Sequence, residues 1–326
     1  MQQRTSSTHY RAVFQALFVT FLWSTSWVLI KIGLEDIPAL TFAGLRYSLA
    51  FLLLLPLAAK RQELGLLREL TRRDWLNLAV LGLVYYSVTQ GAQFVALDLL
   101  PAVTISLMLN FTSVIVAVMG IVLLAEWPTG RQWLGTFIFL LGVVLYFSRD
   151  LSTGMLASNP GQILGLLVAG ICVLANAASS VLGRGVNRGH RLSPLTVTVV
   201  SMGIGSFILL FTGIVVQGLP ALTVRSWLII GFLALVNTAF AFTLWNHTLR
   251  TLSAMESSII NNTMLIQIAV LAWIFLGERL VMVQIGGLAL AAIGILLVQL
   301  RGKTTEVKSQ PAPPPDEMTV ATLDLD

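Results

Sequence analysis

Ten continuous apolar stretches, broken by short polar segments, run the length of this chain. They predict helices near 11–31, 38–59, 74–97, 101–124 and 130–148, then 160–182, 193–217, 225–248, 253–276 and 280–300. A helical membrane span needs roughly 20 such residues. None of the stretches shows the two-residue alternation of a barrel strand, so helices are the predicted element. Pro38, Pro101, Pro128, Pro160, Pro194 and Pro220 fall at segment edges, where proline costs least, and Pro56 lies near the end of the second helix. The resulting plan is a cytoplasmic N-terminal segment (1–10), a five-helix unit (11–148), a linker (149–159), a second five-helix unit (160–300) and a polar tail (301–326). The tail contains Pro311 and Pro313–Pro315 and is expected to be disordered and cytoplasmic.

The two units are copies. Shifting residues 73–145 forward by 152 brings Trp75 onto Trp227, Asn110 onto Asn262, Glu126 onto Glu278, Gln132 onto Gln284, Gly135 onto Gly287 and Gly142 onto Gly294 without a gap. Apolar coincidences are cheap in so oily a chain; matched Trp, Asn, Glu and Gln are not. Five crossings per copy is an odd number, so the second copy enters the bilayer upside down. The expected fold is an all-α integral membrane protein of ten helices in two inverted repeats, an architecture that recurs in secondary transporters with a site near the midplane.

Composition agrees. The chain is 56% hydrophobic and 11% charged, against about 25% charged in soluble domains. Its net charge of +5 is no nucleic-acid signal, because the basic residues sit in the loops. With the N-terminus taken as cytoplasmic, fifteen of the 20 Lys and Arg residues lie inside and four (Lys31, Arg149, Arg225, Arg279) outside, with Arg46 inside the second helix. That bias fixes the orientation by the positive-inside rule and puts both termini in the cytoplasm. The first apolar run is span-length and lacks a clear cleavage site, so it reads as an uncleaved helix. One cysteine, Cys172, excludes an intrachain disulfide. No phosphate-binding Gly-x-x-x-x-Gly-Lys-Ser/Thr is present, and three histidines (His9, His190, His247) suggest no metal cluster. Neither a cofactor nor an enzyme activity is expected; the rival readings are a membrane-embedded enzyme acting on lipid, or a channel or receptor. A homodimer is neither required nor excluded.

Two helix-ending motifs carry a family resemblance. They are Leu124-Ala125-Glu126 with Gln132-Trp133-Leu134-Gly135, and Leu276-Gly277-Glu278-Arg279-Leu280 with Gln284-Ile285-Gly286-Gly287. Phe21-Leu22-Trp23-Ser24 and Pro38 with Leu45-Arg46 add to them. Over residues 11–300 the chain resembles EamA-type members of the drug/metabolite transporter superfamily. The resemblance implies a cavity between helices one to four and six to nine, peripheral helices five and ten, and movement of a small metabolite, often outward. Where the family often has proline about thirteen residues before each motif Glu, this chain has Ser113 and Leu265, which puts a proline kink in helices four and nine in doubt.

Polar residues within a bilayer turn toward protein or water. In helix three Tyr86, Thr89, Gln90 and Gln93 form one stripe; Trp23, Ser26 and Trp27 share a face of helix one, and Thr238, Ala241, Phe242 and Trp245 one of helix eight. Asn110, Asn176, Asn262 and Gln267 come from helices four, six and nine. Together they are the candidate lining for an amino acid or similar small amphipathic solute; the plainer role is hydrogen bonding between helices. Arg46, about 12 Å into its helix from Pro38, either binds a substrate carboxylate or ties down backbone carbonyls. Glu256 and His247 are candidates for coupling transport to a proton; the plainer roles are helix-end pairing and an interfacial polar residue. Glu126 and Glu278 lie on opposite faces and read as structural, accepting backbone N–H groups at the starts of helices five and ten. Lys31 is expected to snorkel to the outer interface. Ser179-Ser180 and Gly203, Gly205, Gly286 and Gly287 are expected to permit close helix packing.

Overall fold

The computed structural model describes residues 2–60, 67, 70–124, 129–152, 159–188, 192–248, 251–252 and 254–299. Ten helical spans account for nearly all of them. They are α1 (Gln2–Gly33), α2 (Ala39–Lys60), α3 (Arg72–Gly82, Leu83–Thr89 and Gln90–Leu99), α4 (Ala102–Leu109 and Phe111–Leu124) and α5 (Gly130–Ser152). The second half repeats the set as α6 (Pro160–Arg188), α7 (Pro194–Gln217), α8 (Val224–Ala234, Leu235–Phe240 and Ala241–Thr248), α9 (Ala254–Leu276) and α10 (Met282–Gln299). Six helices are long and apolar enough to cross a membrane and four shorter apolar ones complete the set among the described residues. This is a multi-pass, all-α membrane protein of two inverted repeats. Its periphery bears exposed Phe14, Phe18, Leu167, Phe211 and Trp273, which suits hydrocarbon and not water.

Two boundaries differ from the sequence reading. α1 begins at Gln2 and runs through the segment expected to precede it. Residues 2–10 lack apolar periodicity, but they also lack proline and glycine, so nothing there stops a helix. α5 likewise continues through Arg149 and Asp150 to Ser152, into the expected linker. The tail and Glu126 lie outside the described residues.

The two copies share local structure, at the matched landmarks and just before them. Thr71 and its counterpart Thr223 cap α3 and α8, each accepting a backbone N–H three residues on (Asp74, 3.3 Å; Ser226, 3.1 Å). Gln132 and Gln284 reach back from the first turns of α5 and α10 to the N–H of Thr129 (2.8 Å) and Val281 (3.2 Å). The paired glycines bring α5 and α10 backbone to backbone. A Cβ at Gly135, Gly142, Gly287 or Gly294 would lie 2.7 Å from the carbonyl oxygen of Gly294, Gly287, Gly142 or Gly135 respectively. Small residues are what membrane helices use for such contact. Gly203 and Gly205 likewise face crowded neighbours, whereas Gly286 is exposed with its nearest neighbour 3.8 Å away, so it does not serve close packing.

Candidate functional site

α3 and α8 each contain a π-helical segment, Leu83–Thr89 and Leu235–Phe240, and the two begin 152 residues apart, at the same register of the two copies. π turns are rare and concentrate at functional sites. Here they carry Tyr85 and Tyr86 in one half and Asn237 and Thr238 in the other, and Arg46 of α2 lies between them.

Arg46 is 5% exposed. Its Nη2 donates one long hydrogen bond, 3.4 Å, to Thr238 Oγ1 of the opposite half, and its Nε is buried without an acceptor. The guanidinium lies 5.0 Å from the Tyr47 ring centre and 6.0 Å from that of Phe94. Burying an arginine in a membrane costs about 2.5–3.5 kcal/mol or more. Cation–π contact returns about 0.5–2 kcal/mol, and a hydrogen bond at the limit of length adds little. The site is therefore electrostatically incomplete. Around it, Tyr47 donates to Gln90 Oε1 at 2.7 Å, and Tyr86 stacks edge-on against both Tyr47 and Tyr85.

A second cluster joins α1 to α8. Trp23 donates its indole N–H to the Asn237 carbonyl (3.1 Å) and packs at 5.2 Å against both Phe242 and Trp245. Asn237 donates to the Leu22 carbonyl and keeps a buried Oδ1 with no partner. Gln267 ties α9 to α1 through Ser24 (2.9 Å) and Thr20 (3.2 Å). Asn176 donates to Thr112 (3.2 Å), joining α6 to α4, and its carbonyl accepts both Ser179 and Ser180.

α4 is interrupted at Asn110, whose side chain donates back to the Ser106 carbonyl at 2.8 Å. The break divides two environments: Ala102 to Leu107 are all buried, and Met108 to Val116 are all half-buried. No proline is involved, in line with Ser113 standing where the family often has one, yet the helix is interrupted all the same. The side-chain amide, by serving its own helix, supplies the break.

At the end of the bundle where α5 and α6 meet the linker, several contacts join the two halves. Glu278 accepts the N–H groups of Ala102 (2.8 Å) and Val103 (3.4 Å) across the halves. The helix whose start it serves is α4 and not α10, where it was expected; the start of α10 is served by Gln284. Lys31 does not snorkel outward: its amine turns in to the carbonyls of Leu97 and Leu100 (2.9 Å for Leu100), the last turn of α3. Unpaired carbonyls at a helix C-terminus are a stronger attraction than the interface. Thr41 donates to Gly218 (2.9 Å) and Arg225 faces Glu35 and Asp36 (3.6 and 3.8 Å), again between halves.

Of the residues singled out by pattern, Arg46, Tyr86, Gln90 and Thr238 meet in one cluster, and Trp23 and Trp245 in another. Thr89 accepts Cys172 Sγ with its backbone carbonyl (3.3 Å). Ser26 donates to the Trp23 carbonyl (2.6 Å) and Trp27 belongs to the hydrophobic core. Gln93 and Asn262 are half-buried and His247 is exposed; Glu256 lies within α9, its side chain outside the described residues. Sequence reasoning missed Tyr47, Tyr85, Phe94 and Asn237. Tyr47 adjoins Arg46 and Asn237 adjoins Thr238, but the stripe argument assumed an even 3.6-residue pitch, which the π turns break.

Comparison with known proteins agrees with this architecture. The model of the EamA-like transporter family matches twice, over residues 10–148 and 163–300. The uncharacterized transporter YoaV of Bacillus subtilis is 24% identical over 283 residues, covering 86% of this chain and 93% of its own. The uncharacterized inner membrane transporter YedA of Escherichia coli K12 is 28% identical over 250 residues, 74% and 75%. A protein of Chlamydia trachomatis named as an S-adenosylmethionine/S-adenosylhomocysteine transporter is 25% identical over 276 residues, 82% of each chain. One crystal structure, 18% identical, superposes with a TM-score of 0.63 over 90% of this chain and 97% of that one, a likeness of fold.

Proposed function

The chain belongs to the EamA-like transporter family, and on that premise we propose that it is a secondary active transporter exporting a small amphipathic metabolite, of amino-acid type, across the cytoplasmic membrane by alternating access. The linker end faces outward and both termini face the cytoplasm, in keeping with the distribution of basic residues. The observation that carries the reading is the two-sided asymmetry of α4. Its linker half starts on Glu278 of the opposite repeat and is buried, while Met108 to Val116 beyond it are half-buried. A fixed channel has no need of that arrangement; inverted halves that rock about a central site do.

The cargo reading rests on the side chains between the halves. They offer aromatic faces (Trp23, Tyr86, Trp245), an unspent donor at Arg46 and an unspent acceptor at Asn237. A solute with a polar head and an apolar or planar body suits them. The S-adenosyl compounds in the relative's name combine an amino-acid head with a planar base. A proton as the driving ion fits Glu256 in α9, and the pH-gradient dependence of Glu256→Gln tests that part.

Counterflow in proteoliposomes tests the whole reading. Purified protein is expected to exchange labelled for unlabelled cargo, with Trp23→Ala and Gln90→Ala both slowed. New chemistry in the cargo, or flux without trans-stimulation, would point to an enzyme or a channel.

A further inference from the structure

Arg46 is the one Asp, Glu, Lys or Arg among the described residues that is buried. The ion pairs among those residues are Arg225 with Glu35 and with Asp36, all three of them exposed. So a guanidinium stands between α2 and α8 with no carboxylate paired to it among the described side chains. The rings of Tyr47 and Phe94 and the hydroxyl of Thr238 hold the fork in place. They leave Nε aimed at no acceptor. An arginine fork is planar and its parallel N–H groups match the two oxygens of a carboxylate.

The charge balance narrows the anion. One cation suits one negative charge. A phosphate dianion calls for a second cation, and Lys31, also in the first half, spends its amine on the carbonyls of Leu97 and Leu100. The surroundings narrow the rest of the molecule, because Tyr47, Tyr86 and Phe94 present ring faces and edges beside the fork.

We infer that Arg46 is the subsite for a single carboxylate of the cargo, and that the transported class is small monocarboxylates, amino acids among them, whose apolar body lies against these rings. The inference rests on the carrier reading above and names its substrate class. Because Arg46 comes from one half and Thr238 from the other, the arriving carboxylate neutralises a charge at the seam along which the halves move.

The test uses the full chain, purified, with two probe pairs: 3-phenylpropionate and its amide, and L-phenylalanine and its amide. Ligand-induced thermal stabilisation gives the affinities. Each carboxylate is expected to bind about tenfold or more tightly than its amide, the usual size of a charge-assisted hydrogen bond. Arg46→Gln should lose that preference and Arg46→Lys should recover part of it. The probe pairs need only the wild type, so a variant that fails to fold does not spoil the comparison. Equal binding of acid and amide, binding of neither acid, or an acid preference that survives in Arg46→Gln overturns the assignment. Counterflow in the same preparation separates the two levels. Exchange of an uncharged solute, untouched by Arg46→Gln, retains the carrier and removes the carboxylate site. Carboxylate binding without any exchange retains the site and removes the carrier.

Discussion

The α5–α10 pair obeys the internal symmetry of the chain, and the α4–α9 pair breaks it. Gly135 and Gly142 do for α5 what Gly287 and Gly294 do for α10, at the same 2.7 Å approach, and Gln132 and Gln284 start the two helices in the same way. α4 and α9 share an asparagine at the same register, yet α4 stops and restarts at Asn110 while α9 runs unbroken through Asn262. In the proposed carrier, the difference separates scaffold from moving part. A duplicated sequence can hold one pair of helices in identical surroundings. It does not do so for α4 and α9, of which one is interrupted at the shared asparagine and the other is not. In the carrier proposed above, interchanging the two states of α4 and α9 is the transport step.

Substitution of the scaffold glycines should have the largest effect. Gly142→Val and Gly294→Val each drive a branched side chain into a backbone carbonyl, at a cost of about 1–3 kcal/mol or more. Both are expected to lose most folded protein in detergent, measured by monodisperse yield and Tm, and to lose it equally. Unequal losses would break the symmetry assigned to this pair. Next comes Glu278→Gln, which removes charge-assisted bonds to the start of α4, about 1.5–3 kcal/mol. A Ser106→Cys reporter, in the buried half of α4, should then react with an impermeant thiol reagent about tenfold faster or more. An unchanged rate would mean that Glu278 does not hold this end closed. The smallest effect is expected from Asn110→Ala, which removes one bond to Ser106, about 0.5–1.5 kcal/mol. Spin labels flanking residue 110 should report a straighter α4, while Asn262→Ala leaves the spacing along α9 unchanged. Equal responses would remove the contrast between the two helices.

Much of this molecule was legible in its sequence. Ten helices follow from apolar runs, and the repeat in part from residues whose roles are local, such as Gln132 and Gln284 near the starts of their helices. Local roles recur at fixed spacing and so leave a trace. The contacts that join the halves at one end left none. Glu278 reaches back 176 residues to Ala102, and its nearness in sequence to α10 pointed to the wrong helix. Lys31 fits an interfacial pattern as readily as the inward one it adopts. The break at Asn110 escaped because proline was the expected cause, and a side-chain amide bending its own helix has no distinct signature. Arg46 was visible as a charge in an apolar run; its ring partner Phe94 and its Thr238 contact came only from how α2, α3 and α8 converge.

The wide turns in α3 and α8 also bear on ancestry. Each winds an additional residue into a helix that would otherwise be regular, and they do so at one register of both copies. One event inherited twice is simpler than two events that coincide. The extra residue is then older than the doubling itself. It belonged to a five-helix forerunner that could enclose a space only by meeting an upside-down copy of itself.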